Sequence, residues 1–288
     1  MRPDELRWTH AVPDLPDARR VDVKWLGTAG YELRCGDHVI LIDPYVTRVG
    51  LWGFLTGPIR SDEALASRVV PVADAILVGH SHFDHVLDVP AIARATGARV
   101  IGSSSTANLM RSAGLPEAQI TPCSGGEELE VGPFRVRVVP SEHSRFALGG
   151  RVPYAGEIPC SCDLPMRGKD YKCGQVLSYS IRVGGVTLYH AGSANLLDDA
   201  IQDRDVDLLL VCISGRQATE RFVPRLLSRV QPRRVMPMHY DDFFRPLDRD
   251  MKLLPMTRFG RLVDEIQAFD KQIEIATLPL SGSLSLAI

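Results

Sequence analysis

The segment His80-Ser81-His82-Phe83-Asp84-His85 places three imidazoles and one carboxylate within six residues. Borderline nitrogen and hard oxygen donors of this kind bind zinc, iron or manganese. A single histidine is usually a packing or surface residue, but a compact His-x-His-x-Asp-His that follows an apolar strand rarely arises by accident. The apolar run 75–78 comes directly before, ends at Gly79 and is predicted as a buried strand. The pattern therefore predicts a metal site at a strand end.

The elements that must position this segment alternate along the chain. Predicted strands lie at 21–25, 31–35, 39–42, 75–78, 100–101, 134–139, 176–183, 186–190, 207–213, 235–238 and 273–276. Predicted helices lie at 62–70, 89–96, 105–113, 224–230 and 258–269. No Ser/Gly linker divides them, so we predict an irregular leader over 1–20 and a single layered α/β domain over 21–288.

The stretch 149–174 departs from this alternation, because it is rich in proline and glycine and holds three of the six cysteines. Loops of this length inside a domain are usually functional or disordered. Its position just after His143 predicts an inserted, substrate-facing loop. A separate structural zinc site made by Cys160, Cys162 and Cys173 with Cys123 stays open, although the spacing C-x-C-x₁₀-C is not a usual zinc pattern.

Bulk properties exclude several classes of partner. The formal net charge is −2, so a general basic field for nucleic acid is absent from the sequence. No run of about 18 apolar residues predicts a membrane span. The N-terminal twenty residues lack the apolar core of a secretory signal, and we expect a cytoplasmic protein with reduced cysteines. The sequence does not predict an oligomeric state.

The motif at 80–85, the early run Leu41-Ile42-Asp43-Pro44 and isolated downstream histidines in the expected order resemble the metallo-β-lactamase superfamily. The resemblance covers most of the chain from about Val21. It implies an αββα sandwich with metals in a cleft at one edge of the sheets. It also implies two ligand sets: His80, His82 and His143 for a first metal, and Asp84, His85 and His239 for a second.

His143 and His239 each follow a predicted strand, which is where α/β scaffolds place reactive groups. This placement supports both assignments. Asp43 is expected to accept a hydrogen bond from a ligand imidazole. His190 is expected in the core or behind the ligands.

The sequence departs from the superfamily pattern at Ser193. That position usually holds an aspartate that bridges the two metals, and a neutral hydroxyl is a far poorer ligand. Three arrangements remain open: one tightly held metal with a weak second, two metals bridged only by hydroxide, or another residue that replaces the bridging ligand. Replacement candidates are Asn195, Asp198 or a residue of the cysteine-containing loop.

The resemblance is strongest to the branch of L-ascorbate-6-phosphate lactonase and phospholipid-type phosphodiesterases. It rests on the motifs at 25–30, 189–192 and 239–244. It implies hydrolysis of a small-molecule ester, lactone or phosphoester by a metal-bound hydroxide, with Asp84 as ligand and as the carboxylate that orients the water. One or two divalent ions are expected, zinc first and manganese or iron as alternatives. Arg216 is a candidate for binding an anionic substrate group.

Two other functions remain open at this stage. The same ligands could hold iron in a non-haem oxidoreductase. Alternatively, loss of the bridging carboxylate could leave a catalytically inactive metal-binding member of the superfamily.

Overall fold

Two seven-stranded mixed sheets form the centre of the protein, in a computed structural model that describes residues 1–12, 14–145, 150–255 and 257–288. The strands are β1 Arg20–Gly27, β2 Gly30–Cys35, β3 His38–Ile42, β4 Ala75–Leu77, β5 Arg99–Gly102, β6 Ile120–Pro122, β7 Glu128–Val131, β8 Phe134–Ser141, β9 Val176–Val183, β10 Val186–His190, β11 Leu208–Cys212, β12 Arg234–Met238, β13 Glu274–Ile275 and β14 Ser283–Ala287. The first sheet has the order β14-β1-β2-β3-β4-β5-β6, and the second has β13-β12-β11-β10-β9-β8-β7.

Helices cover the outer faces of both sheets. In the described part of the chain they are α1 Leu51–Thr56, α2 Glu63–Val69, α3 Phe83–Val86, α4 Val89–Thr96, α5 Ser104–Ser112, α6 Phe222–Val230 and α7 Phe259–Phe269. Apolar side chains of α4 and α5 share a core with one face of the first sheet, and those of α6 and α7 pack on the second. The predicted αββα sandwich is confirmed.

Local sequence explains why the central elements form. The strands β4 and β11 are buried along their whole length and pair in parallel with their neighbours, as expected for the continuous apolar runs Ala-Ile-Leu and Leu-Leu-Leu-Val-Cys. Helix α5 begins after Ser103, whose side chain accepts a hydrogen bond from the Thr106 N–H. Helix α4 ends at Gly97, which has a left-handed backbone.

The two sheets meet closely beside the histidine segment, where β4 and β10 end. The Leu177 N–H donates to the Gly79 carbonyl at 2.7 Å. A Cβ at Gly192 would lie 1.9 Å from the Leu177 carbonyl oxygen, so only glycine fits there. The ends of β4 in the first sheet and β10 in the second are thereby held next to each other.

Several elements were not predicted. Helix α1 lies in a glycine-containing segment that resembles a loop, and β6, β7 and β14 are short edge or neighbouring strands whose formation depends on distant partners. Helix α6 begins at Phe222 rather than at Pro224. A proline is tolerated in this first turn because its missing N–H would have no partner inside the helix.

The N-terminal segment and the described part of the loop at 149–174 both contact other parts of the protein. Residues 1–20 include two short 3₁₀ helices, and the Thr277 hydroxyl donates to the Pro3 carbonyl at 2.7 Å. Gly149 lies outside the described residues. Further along the loop, the Ser81 N–H donates to the Cys173 carbonyl at 3.0 Å, which ties the loop to the histidine segment. Among the described helices, none is long and apolar enough to cross a membrane.

Candidate metal centre

Three histidines from two strand ends converge as a first triad. His80 and His82 follow β4, His143 follows β8, and one ligand atom from each lies within 4.8 Å of the others. The facing nitrogens of the first two, His80 Nε2 and His82 Nδ1, are 3.0 Å apart. The His143 ring centroid lies 4.8 Å from both other centroids.

Hydrogen bonds orient two of these rings. A carbonyl only accepts, so the ring nitrogen facing it must carry the proton. His82 Nε2–H donates to the Pro153 carbonyl at 2.9 Å, and His143 Nδ1–H donates to the Ser144 carbonyl at 2.6 Å. Each ring keeps its other nitrogen for a metal, the usual arrangement at ligand imidazoles. His80 Nδ1 is buried without a hydrogen-bond partner among the described residues.

The first triad is neutral at pH 7. Burial lowers the pKa of His82 to about 4 despite the nearby Asp84, and burial together with His82 lowers the pKa of His143 to about 3. Burial and the neighbouring imidazoles hold the pKa of His80 well below its usual value. Because a metal ligand must be a deprotonated imidazole, this triad can bind a cation at neutral pH without first releasing a proton.

A second triad adjoins the first and consists of Asp84, His85 and His239, again with ligand atoms within 4.8 Å of one another. His239 Nε2–H donates to Asp84 Oδ2 at 3.0 Å, and His85 Nε2 lies 3.8 Å from the same oxygen. His85 Nδ1–H donates to Asp43 Oδ2 at 2.7 Å. Asp43 therefore has the orienting contact expected of it, and His85 Nε2 faces the centre.

The second triad differs from the first in charge. Burial alone would raise the pKa of Asp84, but His85 and His239 outweigh it and hold that pKa well below its usual range. Burial alone would lower the pKa of His85, but Asp43 and Asp84 outweigh it, and the pKa of His85 is raised. His85 therefore tends to keep its proton beside the Asp84 carboxylate. A metal ion can bind to the second triad only when that proton is released.

Unusual backbone conformations hold the second triad. Asp43 and His239 both have positive φ, at 43° and 60°. The His239 N–H donates to the Thr28 carbonyl at 2.8 Å, and the Thr28 N–H donates to Asp241 Oδ1 at 3.0 Å. Asp241 Oδ2 in turn lies 2.6 Å from Arg48 Nη2 in a buried ion pair. The turn after β12 is thus fixed by the turn between β1 and β2.

The remaining predicted residues lie in different places relative to the two triads. Ser193 is buried and lines the cavity at the two triads. His190 lies in the core, where its Nε2–H donates to the Ala29 carbonyl at 3.0 Å. Two of the candidate replacement ligands have other partners, because Asn195 Nδ2 donates to Glu142 Oε2 at 2.8 Å and Asp198 is paired with Arg225. Neither side chain lines the cavity.

Arg216, the candidate for binding an anionic substrate group, does not line the cavity either. Its guanidinium donates to the Thr257 carbonyl at 2.6 Å and lies 3.6 Å from Glu265 Oε2 on α7. The 3₁₀ turn that carries it directs the side chain toward α7, where it stabilises backbone carbonyls. An arginine that does line the cavity is the exposed Arg145.

The four cysteines of the possible separate zinc site do not come together as a metal-binding group in the described part of the chain. Among the described residues, the groups that could hold a metal are the two triads, and neither contains cysteine. Cys123 and Cys173 are buried, whereas Cys160 is exposed. Burial raises the pKa of Cys173 to about 12, which disfavours the thiolate that zinc requires.

Several cavity residues were missed from the sequence. Cys212 ends β11, and its position at the end of an apolar strand is a signal that could have identified it. Four aromatic residues that line the cavity were also missed: Phe54, Tyr154, Phe243 and Phe244. Phe54 carries no local signal, but Tyr154 lies in the loop predicted to face substrate, and Phe243 and Phe244 closely follow His239.

Comparisons with known proteins agree with this geometry. The family model described as beta-lactamase superfamily domain matches residues 22–239. A UPF0173 metal-dependent hydrolase of Anaeromyxobacter dehalogenans is 31% identical over 234 residues, which are 78% of this chain and 76% of that protein.

Two solved structures share the fold. Igni18, a metallo hydrolase from the archaeon Ignicoccus hospitalis, has a TM-score of 0.58 at 16% identity and covers 93% of this chain and 99% of its own. CmlA, a diiron β-hydroxylase from Streptomyces venezuelae, has a TM-score of 0.59 at 14% identity over 95% of this chain and 55% of its own. From the family match, the similar hydrolase and the shared fold, the chain belongs to the metallo-β-lactamase superfamily.

Proposed function

We propose that this protein is a metal-dependent hydrolase of a small-molecule ester, lactone or phosphoester. The observation that carries the proposal is the convergence of five imidazoles and one carboxylate on one cavity, with the rings of His82, His85 and His143 each oriented by a hydrogen bond at one nitrogen. Such donors fit zinc, manganese or iron. The relatives named metal-dependent hydrolases support the same class of activity.

In this proposal His80, His82 and His143 hold one divalent ion, and Asp84, His85 and His239 hold a second. A bound divalent metal supplies a Lewis acid for the scissile carbonyl or phosphoryl oxygen and lowers the pKa of water in the site. Asp84 remains ionised at neutral pH, since its pKa lies below the usual range. Its carboxylate can therefore orient the attacking water and accept a proton that is passed to the leaving oxygen.

The protein matrix supplies the rest of the site. Asp43 holds the His85 ring and the Gly79 N–H, the latter at 2.6 Å, so the carboxylate sets both a ring orientation and the end of β4. Pro153, from the loop at 149–174, holds His82 and lines the cavity beside Tyr154. These contacts support the proposal that this loop faces substrate.

The test is His82→Ala in protein whose metal content is measured by elemental analysis. Removing an orienting partner usually costs about 10–100-fold in metal affinity or activity, so loss of a ligand should exceed about 100-fold in turnover of an ester, lactone and phosphoester panel. His10→Ala, in the exposed leader, is the control and should keep both metal and turnover. Full activity in His82→Ala would refute the proposal.

A second candidate is a non-haem iron oxidoreductase, because five imidazoles and one carboxylate would also hold iron. The fold shared with a diiron hydroxylase is compatible with it. Oxygen-dependent turnover by the iron-loaded protein, with none by the zinc-loaded protein, would select this candidate. Anaerobic turnover by zinc-loaded protein would exclude it. Inactivity of fully metal-loaded protein, both on the ester, lactone and phosphoester panel and in the oxygen-dependent assay, would indicate a catalytically inactive metal-binding protein.

A further inference from the structure

Aromatic side chains border the cavity from one triad to the other. We call them the aromatic belt, and they are Tyr154, Phe54, Phe83, Phe244 and Phe243. Along the belt, the ring centroids of Tyr154 and Phe54 are 6.4 Å apart. Those of Phe54 and Phe244 are 5.5 Å apart, and those of Phe244 and Phe243 are 4.7 Å apart. At its two ends the belt contacts a ligand imidazole of each triad.

The end contacts place apolar surface directly beside the metal-binding groups. The Tyr154 ring centroid lies 6.3 Å from that of His82, and the Phe243 centroid lies 5.2 Å from that of His239. The cavity that they share has a volume of about 270 Å³. This is close to the lower end of the range of about 300–1,000 Å³ for small-molecule sites, so the space suits one ring or a short chain.

Positively charged side chains are sparse at the same cavity. Among the described lining residues, Arg145 is the single arginine or lysine, and it is exposed. Residues 146–149, which lie outside the described range, contain no arginine or lysine in their sequence. Phosphoryl groups are usually bound by several charged or backbone donors. Apart from the metal ions of the proposed function, the side chains of the lining supply little charge for a phosphate, and the aromatic belt matches a neutral alkyl or aryl group.

We propose that the aromatic belt is a specificity pocket for the alkyl or aryl group of a neutral carboxylic ester or lactone. The inference rests on the proposed hydrolase function and narrows its substrate class. Apolar surface in contact with the belt gains binding free energy for each methylene removed from water. The carbonyl carbon then lies beside the two triads while the apolar group occupies the belt.

Phe54 is the residue of the aromatic belt whose position can be changed by a substitution elsewhere in the chain. It lies on α1, whose other apolar residues Leu51, Trp52 and Leu55 are exposed, so its ring position depends on packing against other segments. A Cβ at Gly168, on the loop at 149–174, would lie 2.0 Å from Phe54 Cε2. Gly168→Ala must therefore displace the Phe54 ring. Gly57, at the end of α1, has extended backbone, and an added Cβ there would meet nothing within 4 Å, which makes Gly57→Ala a matched control.

The test measures kcat/KM for straight-chain acyl esters and for lactones of increasing side-chain length. Wild-type protein and Gly57→Ala should gain about 4-fold for each methylene until the cavity is full. Phe54→Ala and Gly168→Ala should both flatten this dependence while keeping metal content. A flat series in wild-type protein, or phosphoesters turned over faster than matched neutral esters, would overturn the inference.

A binding experiment separates this inference from the proposed function. Acetamide and hexanamide are unreactive neutral analogues, and their affinity for metal-free protein is measured by calorimetry. Tighter binding of hexanamide in wild type than in Phe54→Ala, without any ester turnover, would reject the hydrolase and retain the pocket. Ester turnover with equal affinity for the two amides would retain the hydrolase and reject the pocket, and failure of both would reject both.

Discussion

The two triads use similar side chains in opposite electrostatic settings. The first contains only imidazoles, and burial lowers their pKa values so that they are neutral. The second contains Asp84, and the neighbouring Asp43 adds a second buried carboxylate that raises the pKa of His85. The three neutral rings of the first triad can bind a dication without releasing a proton. In the second triad, the Asp84 carboxylate compensates part of the charge of the dication, but a proton must leave when the dication binds.

Under the proposed function, this difference gives the two triads different tasks. The first would hold a metal, and the second would combine metal binding with handling of protons at Asp84. Ser193 lines the cavity where the superfamily pattern would supply a further carboxylate. The second metal is therefore expected to bind more weakly than the first.

The largest effect is expected for Asp84→Asn. Loss of a group that orients water and accepts its proton typically costs about 10²–10⁴-fold in rate. The first triad keeps all three imidazoles, so one metal per chain should remain. Kinetics and elemental analysis of the same preparation test the comparison, and unchanged kcat would show that Asp84 is not part of the chemistry.

Asp43→Asn should weaken the second triad selectively. Its carboxylate orients His85 through the 2.7 Å hydrogen bond, and loss of such a partner usually costs about 10–100-fold in metal affinity or activity. Competition with a chelator should show release of the weaker metal first. Asp37→Asn, in an exposed turn, is the control. Equal weakening of both metals would contradict the separate roles of the triads.

Ser193→Asp should reduce the difference between the triads. A carboxylate at this buried position would compensate the charge of the second ion, and we expect about 10-fold tighter binding, equivalent to about 1.4 kcal/mol. Titration of metal-free protein by calorimetry measures the two affinities. Ser161→Asp, in an exposed part of the loop, should leave them unchanged. A weaker second site in Ser193→Asp would argue against a bridging position.

The smallest effect is expected in how the stability of metal-free protein depends on pH, because each substitution removes one of several titrating rings and the two triads act on opposite sides of pH 6.5. The depressed pKa of His82, about 4, stabilises the fold above pH 6.5, and this contribution is lost as the pH falls toward 4. The raised pKa of His85 acts in reverse: its contribution is present below pH 6.5 and lost as the pH rises.

Replacing single histidines by glutamine tests these signs. His82→Gln should lose less stability than wild type as the pH falls from 6.5 to 4, and His85→Gln should lose less than wild type as the pH rises above 6.5. Thermal denaturation at pH 4 to 8 measures both slopes, with the exposed His38→Gln as control. Parallel slopes in all four proteins would show that neither ring contributes as described.

Much of the fold could be predicted because its central strands are marked locally. The run at 75–78 and the strand β11 are continuous apolar segments, which report burial whatever their partners are. Edge elements could not be predicted in the same way. The strand β14 forms by pairing Leu284 with Val23 across nearly the whole chain, and α1 forms in a sequence that contains a central glycine.

The sequence by itself determined the segment from His80 to His85, because its donors are contiguous and need only a strand end to converge. Only the tertiary structure decided which distant residues join or leave the site. Asp43 reached His85, whereas Asn195 and Arg216 found other partners. Phe54, Tyr154 and Phe243 became neighbours of the triads from helix α1, the loop at 149–174 and the segment after β12, which are far apart in the sequence. Side-chain contacts between distant segments depend on how the layers pack, and no local pattern records that packing.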